Sequence, residues 1–105
     1  MREVRVLAAA AEDVLEAAAH YEVERPGLGA QFQDALRAAF SLLSEDVVPL
    51  AALSDELTAR GVRRLLLRRF PYSVVVREVN ISLVEVIAVA HHSRRPGFWS
   101  DRLST

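Results

Sequence analysis

The chain contains no cysteine and no lysine, and its thirteen basic side chains are all arginine. Without thiols there is neither a disulfide framework nor a thiolate metal centre. Long apolar runs are missing as well. The longest, Val6 to Ala11, is six residues, against roughly 20 for a membrane span, and it is too short for a secretory signal core. These absences lead to the expectation of a cytoplasmic protein. The chain also lacks a glycine-rich phosphate loop, a nucleophile elbow and a helix-turn-helix with a basic recognition helix. No internal repeat or low-complexity segment occurs beyond a bias towards alanine. What is present is 105 residues, 51% of them apolar. That content excludes intrinsic disorder and fits one domain over residues 1–105. A chain of this length hides roughly 60–65% of its unfolded surface.

The net charge of −1 conceals a segregation of sign. Residues 1–59 hold four arginines (Arg2, Arg5, Arg25, Arg37) against eleven acids, a balance of −7. Residues 60–105 hold nine arginines against Glu78, Glu85 and Asp101, a balance of +6. Codon usage in a GC-rich genome accounts for the missing lysine but not for this separation. Arginine is a planar fork suited to phosphate or carboxylate, so the basic half implies a polyanionic or acidic partner.

Periodicity divides the chain into elements. Arg2 to Leu7 alternates and predicts a first strand. From about Ala10, Ala11, Val14, Leu15, Ala18 and Ala19 recur at helical spacing, in an alanine-rich stretch of high helix propensity. Glu12 and Asp13 are expected in the first turn, where the helix dipole favours negative charge, and the acidic residues of this helix read as its solvated face. Pro26-Gly27-Leu28-Gly29 ends it after Arg25. Phe32, Ala35, Leu36, Ala39, Phe40 and Leu43 predict a second helix, and the two should pack as an αα-hairpin. Glu45 to Arg60 has no sustained period and reads as a long loop with a helical turn. Val62 to Arg69, Tyr72 to Val79 and Leu83 to Ala90 read as strands of a three-stranded antiparallel meander. The last strand is apolar on both faces and is expected to be central, with Glu85 near an exposed end. The fold class is α+β: one strand, a helical hairpin, then the meander.

Two clusters carry chemistry. Arg63, Arg64, Arg68 and Arg69 bracket Leu65-Leu66-Leu67, and alternation places Arg63 with Arg69 on one face and Arg64 with Arg68 on the other. Such a strand either grips phosphates or is a solvated edge whose long side chains reach water. His91 and His92 end the last strand and precede Arg94 and Arg95. Consecutive strand residues point to opposite faces, so one histidine at most shares the arginine surface. An imidazole there can move the proton of an RNA 2′-hydroxyl while arginines hold the phosphorane-like charge. Adjacent strand histidines chelate a single ion poorly, so no metal and no other cofactor is expected. Phe98 and Trp99 either stack on unpaired bases or cap the edge of the core.

In order along the chain, these segments resemble the RelE/ParE superfamily of bacterial type II toxin–antitoxin toxins. The resemblance rests on the Glu12–Tyr21 helix, the Arg25–Gly29 turn leading to Phe32, and the Val62-Arg63-Arg64 strand. It continues through the Arg68–Tyr72 corner and the Val86–His92 strand to Arg94-Arg95-Pro96-Gly97-Phe98-Trp99. It implies a sheet packed on a helical hairpin and a cognate acidic antitoxin, partly disordered, that covers the basic sheet in a hetero-oligomer. That interface is expected to exceed the standard of roughly 1,600 Å². RelE-like members cut mRNA on the ribosome without metal. By that likeness the catalytic set is His91, His92, Arg68 and Arg94, with Arg63, Arg64, Arg69, Arg95 and Phe98 binding RNA. ParE-like members share the fold, lack that active site and inhibit DNA gyrase. Cleavage of mRNA is the first expectation, gyrase inhibition the alternative, and a degenerate toxin that binds only its antitoxin the third possibility. Many members have a tyrosine in the tail. Phe98 stands in this chain and donates no proton, which leaves acid–base chemistry to a histidine.

Overall fold

The computed structural model describes residues 1–47 and 50–103. Strand β1 (Glu3–Val6) leads into helix α1 (Ala8–Glu24), and α2 (Leu28–Glu45) follows after a short turn. The chain continues through β2 (Ala51–Ala52), α3 (Asp55–Ala59), β3 (Val62–Leu66), β4 (Tyr72–Asn80) and β5 (Leu83–His91). It closes with a 3-10 turn over Ser100–Leu103.

Helix α1 starts two residues before the predicted point because the alanines at its head carry the highest helix propensity. Glu12 and Asp13 therefore fall in the second turn, past the free N–H groups that would favour their charge, and the dipole expectation fails. On α2 the predicted apolar face is the observed one, with Phe32, Leu36, Ala39 and Leu43 buried. Gly27 turns the chain at φ 90°, in the left-handed region. The Glu22 carboxylate accepts hydrogen bonds from the N–H groups of Gly27 (2.9 Å) and Gly29 (3.1 Å), satisfying donors at the head of α2. The helices touch at Gly29, where a Cβ atom would lie 2.5 Å from the Ala18 carbonyl oxygen.

The predicted meander is present as β3-β4-β5, but it is the centre of a larger sheet. The strand order is β1-β5-β4-β3-β2. β1 lies parallel to β5, from Glu3 opposite Leu83 to Val6 opposite Val86. β2 adds a two-residue antiparallel edge opposite Arg63 and Arg64. The segment read as a long loop thus carries a short strand and the helix α3, which Ser54 caps by accepting the Leu57 N–H at 3.2 Å. Pro49, within that segment, lies outside the described residues. β3 ends at Leu66 rather than Arg69, because Arg68 and Arg69 enter the corner before Pro71 and Tyr72. A bulge in β5 sets Ile87 between the pairs Val76–Val86 and Val75–Ala88.

Both faces of the sheet are covered. The helical hairpin packs on one, enclosing Phe32, Leu36, Leu65, Val74, Val76 and Val86. On the other, Trp99 and Leu103 of the C-terminal tail close over Val62, Val75, Ile87 and Ala88. β5 is an interior strand, between β1 and β4, rather than the middle one, which is β4. Glu85, however, is not at an exposed end. It is 6% exposed and sits opposite both Arg5 and Arg77 in register, accepting hydrogen bonds from both guanidinium groups. Those bonds, that to Arg77 foremost, hold its carboxyl below the usual carboxylate range against the opposing effect of burial.

Candidate functional site

The end of β5 delivers two histidines to two faces, as its alternation requires. His91 lies on the helical side, its ring edge-on to Tyr72 at 5.0 Å between centroids. Its Nδ1 accepts the Ser93 backbone N–H at 3.0 Å, so in the neutral ring the proton resides on Nε2. His92 lies on the tail side, with Nε2 3.0 Å from the Ser73 hydroxyl. Tyr72 belongs to an aromatic group with Tyr21, Phe32 and Phe70. Burial, reinforced by the neighbouring Tyr21 phenol and the acids of α1, raises its phenol pKa.

Where the tail folds back over β3 and β4 it leaves a cleft of about 130 Å³, walled by Arg64, Ser73, His92, Arg94, Phe98 and Trp99 and flanked by His91 and Arg95. Six of the nine residues predicted to act on RNA border this space: Arg64, His91, His92, Arg94, Arg95 and Phe98. Arg64 has its Nε buried without a hydrogen-bond partner among the described residues. The Arg94 guanidinium lies 3.9 Å over the centre of the Phe98 ring, and Arg102 lies 5.3 Å from that centre. Phe98 is flanked by cations within its own tail.

The other three predicted residues lie elsewhere. Arg63 points to the helical side, where its Nε donates to Glu78 at 2.9 Å. Glu78 also accepts from the buried Arg2 at 2.9 Å, and Arg2 donates in turn to the Leu43 carbonyl at the end of α2. Arg69 reaches Gln31 on α2 at 3.0 Å. Arg68 borders an apolar groove between α2 and β3. Arg63 and Arg64 point to opposite faces as alternation required, but the expected pair Arg64 and Arg68 does not share one: Arg64 enters the tail-side cleft and Arg68 borders the groove by α2. β3 stops before Arg68, so strand alternation no longer governs where Arg68 and Arg69 point.

Sequence reasoning missed Asp13, Ser73 and Arg102. Asp13 looked like part of a solvated helix face, but it is paired with Arg102 at 2.7 Å and accepts the Val89 N–H at 3.0 Å. The hydrogen bond to Asp13 raises the Arg102 pKa further. No local pattern marks a pair 89 positions apart. Ser73 was legible in principle, as the serine set between Tyr72 and the apolar Val74–Val76 of β4. Among the described residues, no three His, Cys, Asp or Glu side chains converge on a possible metal position, and no helix is long and apolar enough to cross a membrane.

Residues 4–96 match the model of the ParE toxin of the type II toxin–antitoxin system parDE. The chain belongs to the ParE toxin family. The fold of this toxin is similar to that of a chain in the solved structure of the chromosomal ParDE TA system from P. aeruginosa. The TM-score is 0.68 at 24% identity, over 87% of this chain and 96% of that one. Comparison with curated proteins gave no match. The expectation of a RelE/ParE-type toxin, α+β with a sheet on a helical hairpin, is thereby met.

Proposed function

We propose that this toxin arrests growth in the cytoplasm by binding a protein target, DNA gyrase, and that an acidic antitoxin neutralises it. The observation that carries this reading is the state of the arginines. Arg63, Arg77 and Arg102 are committed to Glu78, Glu85 and Asp13 inside the molecule. Arg94 is stacked on Phe98. Cleavage through a 2′-hydroxyl calls for a base and an acid on either side of one phosphate, with cations at its free oxygens. Here the two histidines occupy opposite faces, one against Tyr72 and the other against Ser73. Membership of the ParE family points the same way. The decisive assay is supercoiling by gyrase with purified toxin. Inhibition that the cognate antitoxin reverses is expected, and unchanged supercoiling at high toxin excess would refute the proposal.

One observation favours a second reading, metal-independent cleavage of mRNA on the ribosome. The orphaned Arg64 Nε lies in the same cleft as His92, Arg94 and Arg95, which is where a phosphate would satisfy it. On that reading, mapping of mRNA 5′ ends after expression finds new ends that vanish in His92→Ala. Intact transcripts in arrested cells exclude it.

A further inference from the structure

Of the two arginines on β3, Arg63 meets a carboxylate and Arg64 does not. Inside this molecule the rule is two guanidinium groups to one carboxylate. Glu78 accepts from Arg2 and Arg63, and Glu85 from Arg5 and Arg77. The tail-side cleft breaks that rule. Arg64 enters it with a buried Nε that has no acceptor among the described residues. The tail adds Arg94 and Arg95, and neither of these is paired with a carboxylate among the described residues. The walls contain no aspartate or glutamate, and Leu53, Val75 and Trp99 make part of them apolar. Three cations thus share a space of lowered dielectric with no anion among them, where each charge acts more strongly than in water. A buried donor without an acceptor is costly, the more so on a charged group.

We propose that this cleft binds a phosphate dianion, held between Arg64 of the sheet and Arg94 and Arg95 of the tail. Charge selects the occupant. A carboxylate or a phosphodiester brings one negative charge, which the pattern elsewhere in the molecule satisfies with two arginines, whereas three arginines match a dianion. Size limits it further. The cleft is about 130 Å³, well below the roughly 300–1,000 Å³ of pockets that enclose drug-sized ligands, so a nucleoside stays outside. Guanidinium forks fit phosphate oxygens in pairs. Ser73 and His92, 3.0 Å apart, line the same space. When the His92 Nε2 proton is donated to the Ser73 oxygen, the serine O–H is free to donate to the anion. Inorganic phosphate and the terminal phosphate of an RNA strand share this chemistry. Such binding has only the place of the phosphate in common with the second reading above and needs no cleavage, so intact transcripts would exclude that reading and leave the site standing.

The test titrates inorganic phosphate into the full chain by calorimetry, with chloride holding the ionic strength constant. Saturable binding is expected, with Tm raised by about 5 °C at roughly ten times Kd. Acetate, a singly charged carboxylate, is expected to bind about tenfold more weakly. Arg64→Lys keeps the charge and loses the fork, and should weaken phosphate binding by about tenfold. Arg25→Met, an equal loss of charge at the exposed turn between the helices, should bind as the parent does. On the unaltered protein, the nuclear magnetic resonance signal of the Arg64 Nε–H should move along the same binding curve, a reading that no folding defect obscures. A short 5′-phosphorylated RNA that binds more tightly than inorganic phosphate makes a strand end the source, and one that binds more weakly makes it the free ion. Acetate equal to phosphate, a 5′-hydroxyl RNA equal to the phosphorylated one, or an Arg64 Nε–H signal that phosphate leaves unmoved would overturn the proposal.

Discussion

Glu85→Gln isolates the charge at the centre of the sheet. Glu85 is almost fully buried and lies between Arg5 on β1 and Arg77 on β4, receiving two hydrogen bonds from each guanidinium group. Glutamine preserves the volume and one acceptor but leaves two cations facing each other without an anion. Removing one partner of a buried ion pair costs about 3–5 kcal/mol. Arg5 is half exposed, and the share of a solvent-screened pair is small, so the loss here is about 2 kcal/mol. In a domain of this size that lowers Tm by about 10 °C. The pH dependence has a defined sign. Because the folded-state pKa of Glu85 is depressed, its stabilisation is complete above the ordinary glutamate value of about 4.3 and is lost as pH falls towards the folded value. Thermal unfolding followed by circular dichroism should show a constant gap between the two proteins from pH 7 to about pH 5, closing below it. Equal stability at pH 7, or a gap that persists undiminished to pH 2, would refute this account.

Gly29→Ala should cost about 1–3 kcal/mol through overpacking, since the added methyl meets the Ala18 carbonyl at 2.5 Å; a denaturant midpoint unchanged from the parent would show that the helices part freely there. Trp99→Ala should cost about 3–5 kcal/mol, because the indole is 4% exposed in the second core, and a loss below about 1 kcal/mol in urea unfolding would mean that the tail is not part of the cooperative unit. Ser54→Ala removes the side-chain acceptor at the head of α3 and should cost about 1 kcal/mol, with Ser54→Thr close to the parent in the same measurement.

The helical hairpin was legible because its signals are local. The Phe32-Leu36-Ala39-Leu43 stripe repeats within one helix, and Pro26 with Gly27 breaks the chain where the helices separate. The strands of the meander were legible for the same reason, from apolar runs of Val, Leu and Ile punctuated by Pro71 and Asn80. Glu85 was misplaced because its nearer partner, Arg77, eight positions away, comes opposite only in the actual β4–β5 register, and the other, Arg5, lies 80 positions away. Of the candidate site, the adjacent histidines and the tail arginines could be picked out by type and spacing. Alternation separated Arg63 from Arg64, but Arg68 could not be sorted, because β3 ends at Leu66 and the corner before Pro71, not the pleat, sets its direction.

By itself, the amino-acid sequence determined the elements, the α+β class, the sign of charge in each half and the order of motifs that marks the family. These rest on periodicity, propensity and turn chemistry, which act over a few residues. Only the tertiary structure decided that β1 joins β5 in parallel, that a bulge interrupts β5 at Ile87, and that Asp13 and Arg102 meet across 89 positions. The reason is physical. A buried or half-buried charge takes whichever opposite charge the packed chain brings within about 3 Å, and that choice exists only once the layers have come together.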